Sequence, residues 1–214
     1  MVVEPAMQSR TRIVSARALA FLAFLAFAPV SGAEPAPPAH PDLAIRLVRV
    51  SGKTTYPGVP IEVKAMLVNV GKRSHPVVLP GDGSESAWRE PHVYFTATRR
   101  ADDGTWKEVA SHPILRCGLY DRDWSDEIRI LEPGKRVEIT TWLPQIQNSL
   151  NLQEPGDYRV RLHYVYRAGA SSKGGQKTEV PEAMRDVAPF SVESTSGIIV
   201  EVTPRPQSTP KRTP

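Results

Sequence analysis

The sequence predicts an all-β fold, an immunoglobulin-like antiparallel β-sandwich of about eight or nine strands. In most segments of the 214-residue chain, apolar residues recur at every second position, which places them on one face of a half-buried strand. Gly, Pro and Asn interrupt these segments at the short intervals typical of sandwiches. No ten-residue amphipathic run separates them, so a parallel sheet with crossover helices is not expected.

The clearest predicted strand follows the turn at residues 155–157. It places Tyr158, Val160, Leu162, Tyr164 and Tyr166 on one face and basic residues on the other. The same alternation predicts further strands near residues 43–49, 61–67, 77–79, 93–97, 106–109, 128–130, 137–141 and 198–202, with a short one at 190–192. Only residues 181–187 offer a helical turn, which we expect to decorate a loop.

The N-terminus has the pattern of a bacterial signal peptide, residues 1–33. Arg10, Arg12 and Arg17 precede an uncharged apolar stretch, and the small residues Ser31 and Ala33 follow it. The apolar stretch is shorter than the roughly 20 residues of a spanning helix. We expect cleavage after Ala33 and a periplasmic or secreted protein; an uncleaved anchor is the alternative.

Proline-rich segments flank the predicted domain, residues 42–203. Residues 34–41 are expected to be an extended linker and residues 204–214 a disordered basic tail. Between residues 34 and 203 the chain has 21 basic and 22 acidic residues, so its basic character comes from the two ends. A nucleic-acid partner would need a basic face on the domain, and we expect none.

Residues 155–160 carry the sequence Pro-Gly-Asp-Tyr-Arg-Val. This stretch resembles the corner before the sixth strand of immunoglobulin-like and fibronectin-type sandwiches. Residues 61–71 and 131–136 also resemble segments of such domains in secreted bacterial proteins. The resemblance implies the fold, and a Tyr158 hydroxyl bonded to nearby backbone. It leaves function open, because these domains serve as spacers, binding modules and inhibitor scaffolds.

The sequence has no recognisable catalytic motif, and we predict that the protein is not an enzyme. Cys117 is the one cysteine, so it forms no internal disulfide, and no nucleophile signature surrounds it. The five histidines lack ligand spacing, and neither a metal nor a cofactor is predicted. Whether the acidic loop with Asp121, Asp123 and Asp126 binds calcium is left open, since its spacing is not that of an EF-hand.

Loop residues provide the candidate binding site. Trp88, His92 and Trp124 could anchor a partner, although a tryptophan in such a loop could instead close the end of the core. Lys173 and Lys177 lie in the long connection 168–188, which we expect to project toward a partner. The expected function is an exported, non-catalytic module that binds a protein or glycan in the cell envelope or outside it. A protease-inhibitor-like scaffold and a small metal-dependent envelope enzyme are the alternatives.

Overall fold

A computed structural model gives the architecture of the chain. The described residues, which begin at Ala36, belong to one compact unit. The structure describes residues 36–50, 52–59, 61, 63–87, 89–109, 124–140, 150, 152–169 and 180–206. The predicted signal peptide and the end of the predicted tail lie outside these ranges. No helix within them is long and apolar enough to cross a membrane.

The described residues form eleven strands and three short 3₁₀ turns, which confirms the all-β class. The strands are β1 (Leu43–Arg49), β2 (Thr54–Thr55), β3 (Val63–Asn69), β4 (His75–Val78), β5 (His92–Arg100), β6 (Trp106–Val109), β7 (Ile128–Leu131), β8 (Arg136–Glu138), β9 (Gly156–Tyr166), β10 (Phe190–Glu193) and β11 (Ile198–Val202). The count exceeds the predicted eight or nine. The two-residue β2, for example, lies in a polar segment with no apolar alternation, and pairing with β11 alone makes it a strand.

The strands form three sheets, and their arrangement is compatible with a β-sandwich. The large sheet has the order β2-β11-β9-β5-β6, and β10 also pairs with β9. The small sheet has the order β1-β3-β8. The third sheet consists of β4 and β7 alone. Every strand pair is antiparallel except β2 with β11. The predicted hairpin is confirmed as the β5–β6 pair.

A single hydrophobic core collects the inward-facing side chains of all three sheets. On β9 the five residues predicted to share a face are all buried, whereas Arg159, Arg161 and His163 between them are partly exposed. Burial of one face alone is what imposes the period of two on the sequence. That period therefore also determines which β9 side chains remain available on the outer face.

Tyr158 forms the predicted corner. Its side chain is buried, and its hydroxyl donates a hydrogen bond of 2.7 Å to the carbonyl of Glu154. Arg99 braces the same turn by donating to the carbonyl of Pro155 at 2.7 Å and to the Glu154 carboxylate. Gly156 has a φ of 147°, and a Cβ there would lie 2.9 Å from Arg99 Nε. Only glycine therefore lets the arginine approach this closely.

Residues 36–42, called here the N-terminal strap, differ from the free linker that proline content predicts. The Ser191 amide of β10 donates to the carbonyl of Pro38, and the His40 amide donates to the carbonyl of Ser191, both at 2.8 Å. The Ser191 hydroxyl also donates to the carbonyl of Pro37 at 2.8 Å. Proline lacks an amide donor but keeps its carbonyl acceptor, so an extended proline-rich segment can still pair with a strand edge.

The predicted helical turn is a 3₁₀ turn, Glu182–Met184, and it does more than decorate a loop. Met184 is buried in the core, and Val180 and Val187 are partly buried and pack against the same core. Three apolar residues therefore anchor the end of the long connection. Its central part, residues 170–179, lies outside the described residues.

Candidate functional site

The outer face of the large sheet brings together polar and aromatic side chains from β5 and β9. Val93, Phe95 and Ala97 point into the core, so His92, Tyr94 and Thr96 lie on the opposite face. The antiparallel register pairs Tyr94 with His163 and Thr96 with Arg161. Neighbouring strands thereby place a cluster on one surface from residues that are about 70 positions apart in sequence.

Three of these residues, His92, Tyr94 and His163, form a stack of rings. The ring centroids of His92 and Tyr94 are 4.5 Å apart, and those of Tyr94 and His163 are 4.8 Å apart with an interplanar angle of 9°. Tyr94 engages both imidazoles through its ring faces. The stack therefore offers a phenol hydroxyl and imidazole nitrogens to a partner, while the Tyr94 ring is already engaged on its faces by the two imidazoles.

Burial and nearby charges set the protonation of the stack. Burial lowers the pKa of His163, an effect that Glu193 opposes and Arg161 reinforces. His163 is thus predominantly neutral at pH 7, and its Nε2 lies 2.9 Å from the Thr96 hydroxyl. Burial likewise raises the pKa of Tyr94, so its phenol keeps its proton. The centre of the stack is uncharged and can donate and accept hydrogen bonds.

Charged residues flank the stack on the same face. Arg161 Nη1 lies 2.7 Å from Glu193 Oε1, and both side chains are partly exposed. Arg159 Cζ lies 4.2 Å above the ring of Trp106, in a cation–π contact. The surface therefore has a neutral aromatic centre and a rim of both charge signs. This distribution is typical of a polar protein interface.

The Thr96–His163 contact pairs a hydroxyl with an imidazole, as a nucleophile and its base would be. It lies on an open sheet face, where the amides of β5 and β9 are used in the ladder between the two strands. Acyl transfer needs amide donors aimed at a developing oxyanion and a site that excludes water. An open sheet face whose amides are used in the ladder meets neither requirement. We therefore assign the contact between Thr96 and His163 to packing beside the ring stack.

Trp124 does not have the exposed position expected of a binding residue. Its side chain is 0 % exposed, and its ring packs edge-on against Tyr166 at a centroid distance of 6.4 Å. It lies directly before a 3₁₀ turn, Ser125–Glu127, which returns the chain to β7. The expectation of an exposed indole is therefore wrong for Trp124, and the alternative, closure of the core, describes its position.

Of the other predicted binding residues, His92 belongs to the ring stack, where it begins β5. Trp88, Lys173 and Lys177 lie outside the described residues, as does Cys117. Asp126 is exposed in the turn before β7, whereas Asp121 and Asp123 also lie outside. Within the described ranges, no three His, Cys, Asp or Glu side chains form a group that could hold a metal ion.

Glu90 is a buried carboxylate that the sequence did not single out. Both of its oxygens accept the Arg167 amide, at 3.0 and 3.1 Å, and the Gly169 amide is a further donor. The carboxylate thus holds the chain where it leaves β9. Burial raises its pKa to about 7, against the lowering effect of these amides.

This burial makes the ionised form of Glu90 costly and stability dependent on pH. Since its pKa is raised in the folded state, stability is fully present below the ordinary value of 4.5 and falls as the pH rises toward about 7. We expect Glu90→Gln to remove this dependence. Between about pH 4.5 and pH 8, the unfolding free energy of the variant should rise by roughly 2 to 3 kcal/mol relative to that of wild type.

Urea titrations of both proteins across this pH range measure that difference. The amide that this substitution introduces changes the unfolding free energy by the same amount at every pH. It therefore does not alter the pH-dependent shift. Parallel stability curves for the two proteins would contradict the assignment of the titration to Glu90.

The sequence patterns indicated part of this site and missed the rest. The alternation of β9 placed His163 on the outer face, but nothing marked Tyr94 as its partner, because the pairing of β5 with β9 is a tertiary contact. The period of two in residues 92–96 was the available signal. It places Tyr94 on the same face as His92.

Comparison with known proteins adds no family. The sequence matches no protein-family model and none of the curated proteins. Its fold and the ring stack therefore carry the functional argument.

Proposed function

We propose that this chain is an exported, non-catalytic β-sandwich of immunoglobulin-like type that binds another protein. The ring stack on the outer face of the large sheet is the contact surface. Export rests on the signal-like N-terminus, and the lack of catalysis rests on the absence of catalytic motifs in the sequence.

The immunoglobulin-like assignment is supported by the corner at Tyr158. A buried tyrosine at the start of a central strand, bonded to the backbone a few residues upstream, is a hallmark of these sandwiches. Asn69 lies in segment 61–71, the second stretch that resembles such domains. Its side chain joins the end of β3 to the turn that follows and to β7.

The geometry of the ring stack carries the choice of a protein partner. Tyr94 stacks on both imidazoles, and Arg159 lies over the Trp106 ring, so both of these larger rings already have a partner on a ring face. Sugars bind preferentially to open aromatic faces, whereas protein interfaces combine aromatic edges with a charged rim. The glycan alternative is therefore the less favoured of the two.

Affinity capture with a matched pair of variants tests the proposal. Residues 34–214 would be immobilised and exposed to an envelope extract of the source cell, and the captured protein would be identified and purified. We expect Tyr94→Ala/His163→Ala to weaken its binding at least about tenfold. The control, Arg46→Ala/Lys64→Ala, removes two exposed side chains from the small sheet and should bind like wild type.

Thermal melting of each variant separates loss of binding from loss of folding. A folded ring-stack variant that retains the captured protein would contradict the proposed surface. Capture that survives protease treatment of the extract but not removal of its glycans would favour a glycan ligand instead.

A further inference from the structure

The N-terminal strap ends in a cluster of two histidines and an aspartate. The rings of His40 and His75 meet edge to face with centroids 4.6 Å apart, and the His40 ring also packs edge-on against Phe190 at 4.9 Å. His75 Nε2 lies 3.1 Å from Asp42 Oδ2. His40 therefore contacts both β4 and β10, and Asp42 is a second strap side chain that contacts β4.

One hydrogen bond specifies the protonation state of docked His40. Its Nδ1 accepts the amide hydrogen of Asp42 at 3.1 Å, and a nitrogen that accepts a hydrogen bond carries no proton. Protonation of Nδ1 would direct two N–H groups at each other. It would also place a positive charge against the His75 ring.

The cluster lies at a groove of about 370 Å³ between the strap, β4 and the chain leading into β10. Proline and other apolar residues form most of its lining. Among the described residues, the titratable side chains at this groove are His40, His75 and Asp186, with Asp42 beside them. Asp186 is exposed, and Asp42 is shared with His75, so neither carboxylate is dedicated to a protonated His40.

We propose that the N-terminal strap is a pH-sensitive element, docked on β10 while His40 is neutral and released when His40 takes up a proton. Release opens the edge of β10 at Ser191, where the strap now supplies the backbone partners. An open strand edge can pair with another chain. The strap thus regulates access to this edge.

The direction of the response follows from the surroundings of His40. Burial lowers the pKa of His40 below its ordinary value of 6.5, His75 lowers it further, and Asp42 partly opposes them. The unfolded or released strap therefore takes up a proton more readily than the docked strap. Docking is fully stable above that ordinary value and weakens as the pH falls through the lower pKa of the docked state.

Amide hydrogen exchange of the mature chain tests the proposal. The probes are the amides of His40 and Ser191, and protection factors correct for the intrinsic dependence of exchange on pH. We expect their protection to fall roughly threefold or more between about pH 7.5 and pH 5, while central amides of β5 and β9 stay protected. Constant protection of the two probes across this range would overturn the proposal.

Two variants make the test specific. His40→Phe keeps an aromatic ring against Phe190 but cannot be protonated, so the strap should stay protected at the lower pH. His163→Gln removes a histidine of the ring stack and should show the same loss as wild type. If His40→Phe loses protection with pH as wild type does, another group controls the strap, and the proposal is overturned.

Discussion

Replacing Trp124 with alanine is expected to lower the free energy of unfolding by about 3 to 5 kcal/mol, the range for removing a fully buried aromatic side chain. The indole is 0 % exposed and fills space beside Tyr166. Nothing among the described residues accepts a hydrogen bond from its Nε1. Trp124→Phe should therefore recover much of the lost stability, because it restores ring volume without a polar atom to satisfy. Denaturant unfolding of the variants measures both effects.

Trp106→Ala is the matched control, because this tryptophan lies partly exposed at the edge strand of the large sheet. Its loss removes the contact with Arg159 and should cost about 1 kcal/mol or less. If Trp124→Ala kept wild-type stability but abolished partner binding, Trp124 would be a contact residue and its assignment to the core would be wrong.

The second large effect is expected at Asn69, a fully buried polar residue at the end of β3. Its Nδ2 donates to the carbonyls of Arg73 and Leu131, each at 2.7 Å, and its Oδ1 accepts the Gly71 amide at 2.9 Å. Asn69→Ala leaves three backbone groups without this partner and should cost about 3 kcal/mol, at roughly 1 kcal/mol for each bond.

Asn69→Asp separates hydrogen bonding from side-chain volume. The two side chains are nearly the same size, but an ionised carboxylate cannot donate to the carbonyls of Arg73 and Leu131. It should therefore destabilise the protein at neutral pH at least as much as alanine does. Lys64→Ala, at an exposed position of β3, should stay within about 0.5 kcal/mol of wild type. Equal stability of Asn69→Asp and wild type at neutral pH would contradict this role.

The local patterns of the sequence predicted most strands, because a half-buried strand must alternate its residue types. Residues 106–109 and 198–202 agree with β6 and β11 at both ends. The Tyr158 corner was also predictable, since its turn, tyrosine and hydrogen-bond acceptor lie within five consecutive residues. The two-residue β2 was not predictable, because a polar dipeptide becomes a strand only through its distant partner.

The candidate site shows the same division. Alternation along β9 determined that His163 faces outward, and the sequence alone also determined the all-β class. Only the tertiary structure decided that His163 stacks on Tyr94, that Trp124 is buried and that the proline-rich strap docks on β10. The physical reason is that periodicity reports which face of a strand is buried, whereas strand order and register decide which residues of different strands meet. That pairing depends on packing over the whole core, and no local segment encodes it.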